Sequence, residues 1–342
     1  MTLADVQGQS RAIDRLRAAL QRGTVHHAYL FVGPEGVGKE LTARAFAMAL
    51  LCPERPNEGC GACSTCTRIE RGSHPDVQVT MPEALRVARG LAARSDFERT
   101  PSQAVKVEQI RALQERLSLH ALESKRKVAI LLSAEQLNDA SQNAFLKTLE
   151  EPPAETTLIL VSTSSDSLLP TIRSRCAQVP FGPLPRALIA ERVAKEKKLD
   201  PPTAELVAEL SEGSLGRALE MDTRFLASRQ EVVSRFEALD PKDARTLLSF
   251  AETFGGSREE AEAALSLLSL WVRDVLALKG GRPVAAPGEL SELAARSAAR
   301  RSELWLLRAR EWIERTRYRI GERNGSGRLQ LERMLLAISE GA

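Results

Sequence analysis

Polar and apolar positions fall into a helical rhythm from the start of the chain. Between Gln9 and Gln21, Ile13, Leu16 and Leu20 recur at three- and four-residue intervals, the mark of a helix with one buried face. Ala28-Tyr29-Leu30-Phe31-Val32 is an unbroken apolar run, which predicts a strand covered on both faces of a parallel sheet. A glycine-rich turn spans Gly33 to Lys39, and Glu40 to Leu51 reads as the next helix. Val77 to Val79, Val128 to Leu132 and Leu158 to Val161 repeat the strand pattern, with helices predicted at Gln109 to Leu119 and Glu135 to Glu150 between them. Such alternation predicts an α/β layer with a mainly parallel sheet. Pro82 to Ala104 is rich in Arg, Ala and Ser without a clean period; it reads as a mobile surface loop or a short helix, with no role assigned.

Beyond Pro180 the strand pattern stops. Pro183 to Leu219 reads as a helical module interrupted at Pro201-Pro202 and Gly213-Ser214. Arg224 to Ile338 is helical again, anchored by Trp271, Trp305 and Trp312 and broken at Gly280-Gly281-Arg282-Pro283, since Gly and Pro end helices. Three modules are therefore expected: 1–180, 181–222 and 223–342.

Composition narrows the function classes. With 342 residues, 43% hydrophobic and 27% charged, the chain can bury a large core and is not expected to be disordered. A net charge of only +3 argues against coating nucleic acid by charge alone, and 4% aromatics against a base-stacking platform. No apolar run is long enough to cross a membrane, and Met1-Thr2-Leu3-Ala4-Asp5 lacks the basic start of a signal peptide, so a cytoplasmic location is the expectation.

Gly33-Pro34-Glu35-Gly36-Val37-Gly38-Lys39-Glu40 lies between a predicted strand and a predicted helix, where a phosphate-binding P-loop belongs. Gly33, Gly36 and Gly38 would let backbone N–H groups curl around phosphate oxygens, with Lys39 reaching the β- and γ-phosphates. A working loop then needs Ser or Thr to hold Mg²⁺, and here stands Glu40. Thr42 is no simple substitute, because two helical steps turn it roughly 200° away. The strand at Val128 ends in Leu132 and Ser133 rather than in the acidic pair that holds metal and activates water. Glu135 is close by but reads as an N-terminal helix carboxylate. Two lesions predict no ATP hydrolysis by this chain alone.

Several stretches together resemble the bacterial clamp-loader family of AAA+ proteins: His27-Ala28-Tyr29-Leu30-Phe31, Ala144-Phe145-Leu146-Lys147-Thr148-Leu149-Glu150-Glu151-Pro152-Pro153, and Leu169-Pro170-Thr171-Ile172-Arg173-Ser174-Arg175-Cys176. The resemblance covers about the first 220 residues and continues faintly into Trp271-Val272-Arg273-Asp274 and Leu329-Gln330-Leu331-Glu332. It implies an AAA+ P-loop domain with a parallel sheet over 1–180, a small helical lid over 181–222 and an all-α collar domain for oligomerisation over 223–342. It also implies membership of a five-subunit ring with delta and gamma/tau subunits, which places the beta sliding clamp on primed DNA within the DNA polymerase III holoenzyme. Within Ser174-Arg175-Cys176 the resemblance makes Arg175 an arginine finger acting in trans on a neighbour's ATP; taken alone, Arg175 reads as a loop cap or the partner of a surface carboxylate. The strand-borne sensor position is Thr163, which keeps a hydroxyl. The lid has Gly216 where hydrolysing relatives carry an arginine, with Arg217 one position late. The resemblance thus points to the non-hydrolysing member, with an active gamma/tau-type ATPase as the alternative and an unrelated AAA+ remodeller of DNA junctions as a second.

Cys52, Cys60, Cys63 and Cys66 give C-x₇-C-x₂-C-x₂-C. Two-residue gaps let neighbouring thiolates converge on one ion, and four sulfurs fill a structural Zn²⁺ site with no open position. Family members carry a similar zinc module after the P-loop helix. An iron–sulfur cluster is the competing reading, though the usual following C-x-C-P context is absent. Cys176 stands apart as a small buried residue. His26, His27, His74 and His120 have no metal-ligand spacing and read as structural, and Arg308, Arg310, Arg315, Arg317 and Arg319 read as a solvated or subunit-facing helix surface.

Overall fold

The computed structural model describes residues 1–282, 289–323 and 325–340; Pro283, in the expected break, lies outside them. Five strands, β1 (Ala28–Val32), β2 (Val77–Thr80), β3 (Lys127–Leu131), β4 (Thr156–Ser162) and β5 (Ala177–Pro180), form one sheet. Every pairing is parallel and the order is β2-β3-β4-β1-β5. This is the expected α/β layer with a parallel sheet. Helices α1 (Ser10–Gln21), α2 (Lys39–Leu51), α3 (Ser64–Glu70), α4 (Glu83–Ala88), α5 (Val107–Ser118), α6 (Asp139–Glu150) and α7 (Pro170–Arg175) accompany it.

Strand alternation explains why apolar runs were needed. Tyr29, Phe31, Ile130 and Ile159 join one core with Leu16, Phe46 and Met48 of α1 and α2. Their neighbours Leu30, Leu131, Leu158 and Leu160 join another with Ile110, Phe145 and Ile172 of α5, α6 and α7. Tyr29 meets Phe46 edge-on at 5.1 Å between ring centroids, which seats the helix after the glycine turn on the sheet.

One expectation needs correction and one strand was missed. The helix expected from Glu135 to Glu150 is broken: Ala134–Gln136 is a 3₁₀ turn. α6 begins only at Asp139, where the Asn138 side chain accepts the Ser141 N–H at 2.9 Å as an N-cap. β5 went unforeseen because it is a short edge strand that alternates partly exposed residues with Val179. The aperiodic stretch after Pro82 holds a short helix, α4, one of the two readings expected for it, and a 3₁₀ turn at Arg94–Asp96.

Chain contacts divide the molecule into one unit of Met1–Ile189 with Glu212–Arg217 and another of Ala190–Ser211 with Ala218 onward. The described elements of the second are helical: α8 (Arg186–Lys197) and α10 (Leu215–Glu220), which both begin in the first, α9 (Pro201–Leu210), α11 (Thr223–Glu237), α12 (Ala244–Phe254), α13 (Arg258–Lys279), α14 (Glu289–Arg300), α15 (Glu303–Arg323) and α16 (Gly327–Glu340). Trp271 of α13 is buried at its centre and donates Nε1–H to Glu237 at 2.8 Å. Glu237 also accepts from Ser297, Arg300 and Arg301, so a buried carboxylate gathers α11, α13 and α14. Trp305 and Trp312 pack at the rim of this core. On α15, Arg315 pairs with Glu311 and Arg317 with Glu314, the exposed ion pairs expected of a solvated helix face.

Candidate functional site

The glycine turn follows β1, at the carboxyl edge of the sheet where ligands of such folds bind. Gly36 and Gly38 are left-handed, at φ 72° and 98°, a backbone that glycine reaches without a Cβ clash. Gln9, buried just before α1, donates Nε2–H to the carbonyls of Val37 at 3.2 Å and Gly182 at 2.7 Å. Its amide thereby fixes the turn against the chain after β5.

The shape suits phosphate, but the side chains are engaged elsewhere. Lys39 Nζ donates to the carbonyls of Gly33 at 2.6 Å and Pro34 at 2.5 Å. Lys39 is only 6% exposed; burial lowers its pKa, while the carboxylates of Glu135 and Glu35 push it back up. Thr42 donates its hydroxyl to the Gly38 carbonyl at 2.8 Å, so it is not turned toward a metal. The Gly213–Arg217 stretch lies directly on the loop: Gly216 N–H donates to the Gly36 carbonyl at 3.0 Å. A Cβ on Gly216 would sit 2.9 Å from Gly36 Cα, and one on Gly36 would sit 2.2 Å from Ser214 Oγ. Glycine at 216 is thus a packing requirement, and Arg217 turns to pair with Glu212 at 2.9 Å.

Glu40, at the position that ordinarily carries the metal-binding hydroxyl, is held by two arginines. Arg89 grips it with two bonds, 2.9 and 2.8 Å, and Arg44 adds bonds at 3.3 and 3.1 Å. Burial alone would raise the Glu40 pKa; Arg89 and Arg44 outweigh it and hold the carboxyl below its usual range. Arg44 also donates to the Ile69 carbonyl at 3.2 Å. The carboxylate therefore ties α2 to α3 and to the segment after α4. Arg89 lies in the stretch that had no assigned role, and no periodicity could have marked it.

At the end of β3, Leu132 is buried and Ser133 takes a left-handed turn at φ 54°. Glu135 lies in the first turn of the 3₁₀ stretch and accepts the Thr163 N–H at 3.1 Å. The ends of β3 and β4 are thereby joined, and Thr163 itself is exposed.

Arg175 closes α7, a short helix started by Pro170. Its guanidinium donates to Glu150 at 2.8 Å and to the Thr171 carbonyl at 3.1 Å, and the pair is exposed. Ser174 donates its hydroxyl to the same Thr171 carbonyl. Cys176 is buried, which pushes its thiol up to about 12. Glu150 and Arg175 belong to two different stretches of the family resemblance, and the fold brings them together.

The four clustered cysteines converge. All four Sγ atoms lie within 4.8 Å of one another, with Cys52–Cys63 and Cys60–Cys66 each at 3.9 Å. Four thiolates around one tetrahedral ion at metal–sulfur bonds of about 2.3 Å stand about 3.8 Å apart, whereas a cluster with one thiolate per iron spreads them farther. Backbone N–H groups point at the sulfurs: Arg55 to Cys52 at 3.3 Å, Cys63 to Cys60 at 3.2 Å and Cys66 to Cys63 at 3.4 Å. Such donors stabilise thiolates. Burial raises Cys52, Cys63 and Cys66; the Arg55 and Cys60 N–H groups bring Cys52 down to about 7, whereas Cys63 stays raised and Cys66 is pushed up to about 12. The arrangement can hold one metal ion.

A family model described as DNA polymerase III, delta subunit, matches residues 8–185. The delta-prime subunit of Bacillus subtilis DNA polymerase III is 32% identical over 278 residues, which are 80% of this chain and 78% of that protein. The Pseudomonas aeruginosa delta-prime subunit is 39% identical over 162 residues, 47% of this chain and 44% of its own length. The Escherichia coli tau subunit is 32% identical over 269 residues; they cover 75% of this chain but 39% of tau. Among solved structures, a gamma-subunit-related protein of Thermotoga maritima overlays with a TM-score of 0.46 and 17% identity, covering 96% of this chain and 99% of that one. Among the described residues, no helix is long and apolar enough to cross a membrane.

Proposed function

Because the chain belongs to the DNA polymerase III delta-subunit family, we propose that it is the delta-prime subunit of a clamp loader, a scaffold that does not itself hydrolyse ATP. The observation that carries this reading is the self-engaged phosphate loop, with Lys39 bonded to its own turn and Glu40 neutralised by Arg89 and Arg44. Without a hydroxyl for Mg²⁺ or an acidic pair after β3, the chain lacks the groups that would polarise a γ-phosphate or activate water. Gly33, Gly36, Gly38, Lys39, Glu40 and Thr163 are then remnants of a nucleotide site.

Arg175 is the working group in this proposal, donated to the ATP site of a neighbouring gamma/tau subunit. An exposed ion pair is worth only about 0–1 kcal/mol, so exchanging Glu150 for a phosphate costs little. A finger arginine, by contrast, contributes about 10³- to 10⁵-fold to phosphoryl transfer. Residues 181–222 serve as the lid and 223–342 as the collar that joins the gamma/tau and delta subunits; the beta clamp and primed DNA are met through the assembly. The cysteine cage holds structural Zn²⁺, which suits four thiolates with no open position.

The test is a reconstituted assembly of this chain with gamma/tau and delta subunits, assayed for clamp-stimulated ATPase activity. Arg175→Ala should lower it by at least about tenfold and Lys39→Ala should leave it near wild type. Equal activity in both variants refutes the finger. Steady-state ATP turnover by the isolated chain would favour the active gamma/tau-type reading instead.

A further inference from the structure

β2 is the terminal strand of the sheet. The carbonyls of Asp76 and Thr80 accept N–H groups from Val128 and Leu132, so strand alternation turns the main-chain groups of Val79 away from β3. An edge of this kind is a template for a further strand unless something blocks it. A cavity of about 600 Å³ runs along it. A second, of about 360 Å³, continues it, and Pro75, Gln78 and Arg116 line both.

The lining has a definite chemistry. Arg44, Arg71, Arg86 and Arg116 border the larger cavity and no carboxylate does. Arg44 is held by Glu40 and Ile69, and Arg116 donates to Gln78 at 3.0 Å, but Arg71 and Arg86 stand exposed beside the edge. Asp76 borders the smaller cavity, yet its carboxylate accepts three backbone N–H groups, from Leu122, Glu123 and Ser124. Leu91, Leu119 and Leu122, exposed by 58%, 65% and 79%, flank the two ends. They are the most exposed large apolar side chains described in the first unit. Apolar side chains gathered at a groove mark a contact surface. No Phe, Tyr or Trp lines either cavity, which disfavours a base-stacking platform.

We propose that this edge docks an extended acidic segment of a partner protein. The segment adds a strand to β2, sets its carboxylates on Arg71 and Arg86, and lays apolar side chains against Leu91, Leu119 and Leu122. Main-chain bonds supply affinity in this mode and alternate side chains supply selectivity. The proposal is independent of the roles given to Arg175 and the phosphate loop.

Fluorescence anisotropy on the full chain tests it, with a labelled peptide of about eight residues alternating Glu and Val. Three further probes are the same peptide N-methylated at alternate amides, its Lys-for-Glu counterpart and an oligo-dT. The acidic peptide should bind, and Arg71→Glu with Arg86→Glu should weaken it by about tenfold or more, with metal content and circular dichroism unchanged. N-methylation should abolish binding by removing the ladder donors. Binding untouched by either change, equal binding of the Lys peptide, displacement by oligo-dT, or no binding at about 1 mM would each overturn the proposal.

Discussion

Breaking the Glu40–Arg89 pair tests whether the carboxylate beside the glycine-rich turn holds the segment after α4. The two bonds are 2.9 and 2.8 Å long, and the side chains are 36% and 27% exposed. Fully exposed pairs contribute about 0–1 kcal/mol, and losing one partner of a buried pair costs about 3–5. A half-buried bidentate pair falls between, near about 1.4 kcal/mol, which is about tenfold in a local opening equilibrium. Hydrogen exchange of α4 reads that equilibrium, because the amides of Arg89 and Leu91 are bonded to Leu85 and Arg86 within the segment. Glu40→Ala and Arg89→Ala should each lower protection there about tenfold, and the double variant should lose no more than either single one. Since the folded Glu40 pKa is depressed, the stabilisation is complete above its ordinary value of 4.5 and fades as pH falls through the lower folded value. Wild type and Arg89→Ala should therefore converge in acid. Unchanged protection in Arg89→Ala, or additive losses in the double variant, would show that the segment is held by something else.

Three further outcomes follow from the same geometry. Glu40→Thr restores the hydroxyl of a working loop but leaves Leu132, Ser133 and Gly216 in place, so ATP turnover by the isolated chain should stay at background in a coupled assay. Cys63→Ser should reduce bound metal, measured by atomic emission, from about one ion per chain to almost none, because one weak ligand forfeits most of the cage's affinity; unchanged metal content would place the ion elsewhere. In the second unit, Asp274 accepts from Arg229 at 2.7 Å and Arg273 at 2.8 Å, with Arg229 only 1% exposed. Asp274→Ala should cost about 3–5 kcal/mol in urea unfolding followed by tryptophan fluorescence, while Arg229→Met with Asp274→Leu recovers most of the loss.

Much of this was legible in the order of residues. Unbroken apolar runs such as Ala28 to Val32 announce doubly covered strands, because alternation sends neighbours to opposite cores and both must be apolar. The glycine turn and the cysteine spacing are equally local: a left-handed loop and a C-x₂-C pair need only a few adjacent residues to take shape. β5 escaped because an edge strand needs only one buried face, and Val179 alone does not make a pattern. Asn138 hides the break before α6 in the same way, since a cap is a single residue.

The contacts of the glycine-rich turn were decided only by folding. Arg89 reaches Glu40 from 49 positions along the chain, Gly216 covers Gly36, Gln9 braces Gly182, and Glu135 meets Thr163. None of these contacts leaves a local signal, because each joins side chains or turns whose neighbours in sequence point elsewhere. Composition and periodicity are set by which face of an element is dry. Which charge answers which depends on how the elements are stacked, and that is a property of the packed sheet rather than of any segment within it.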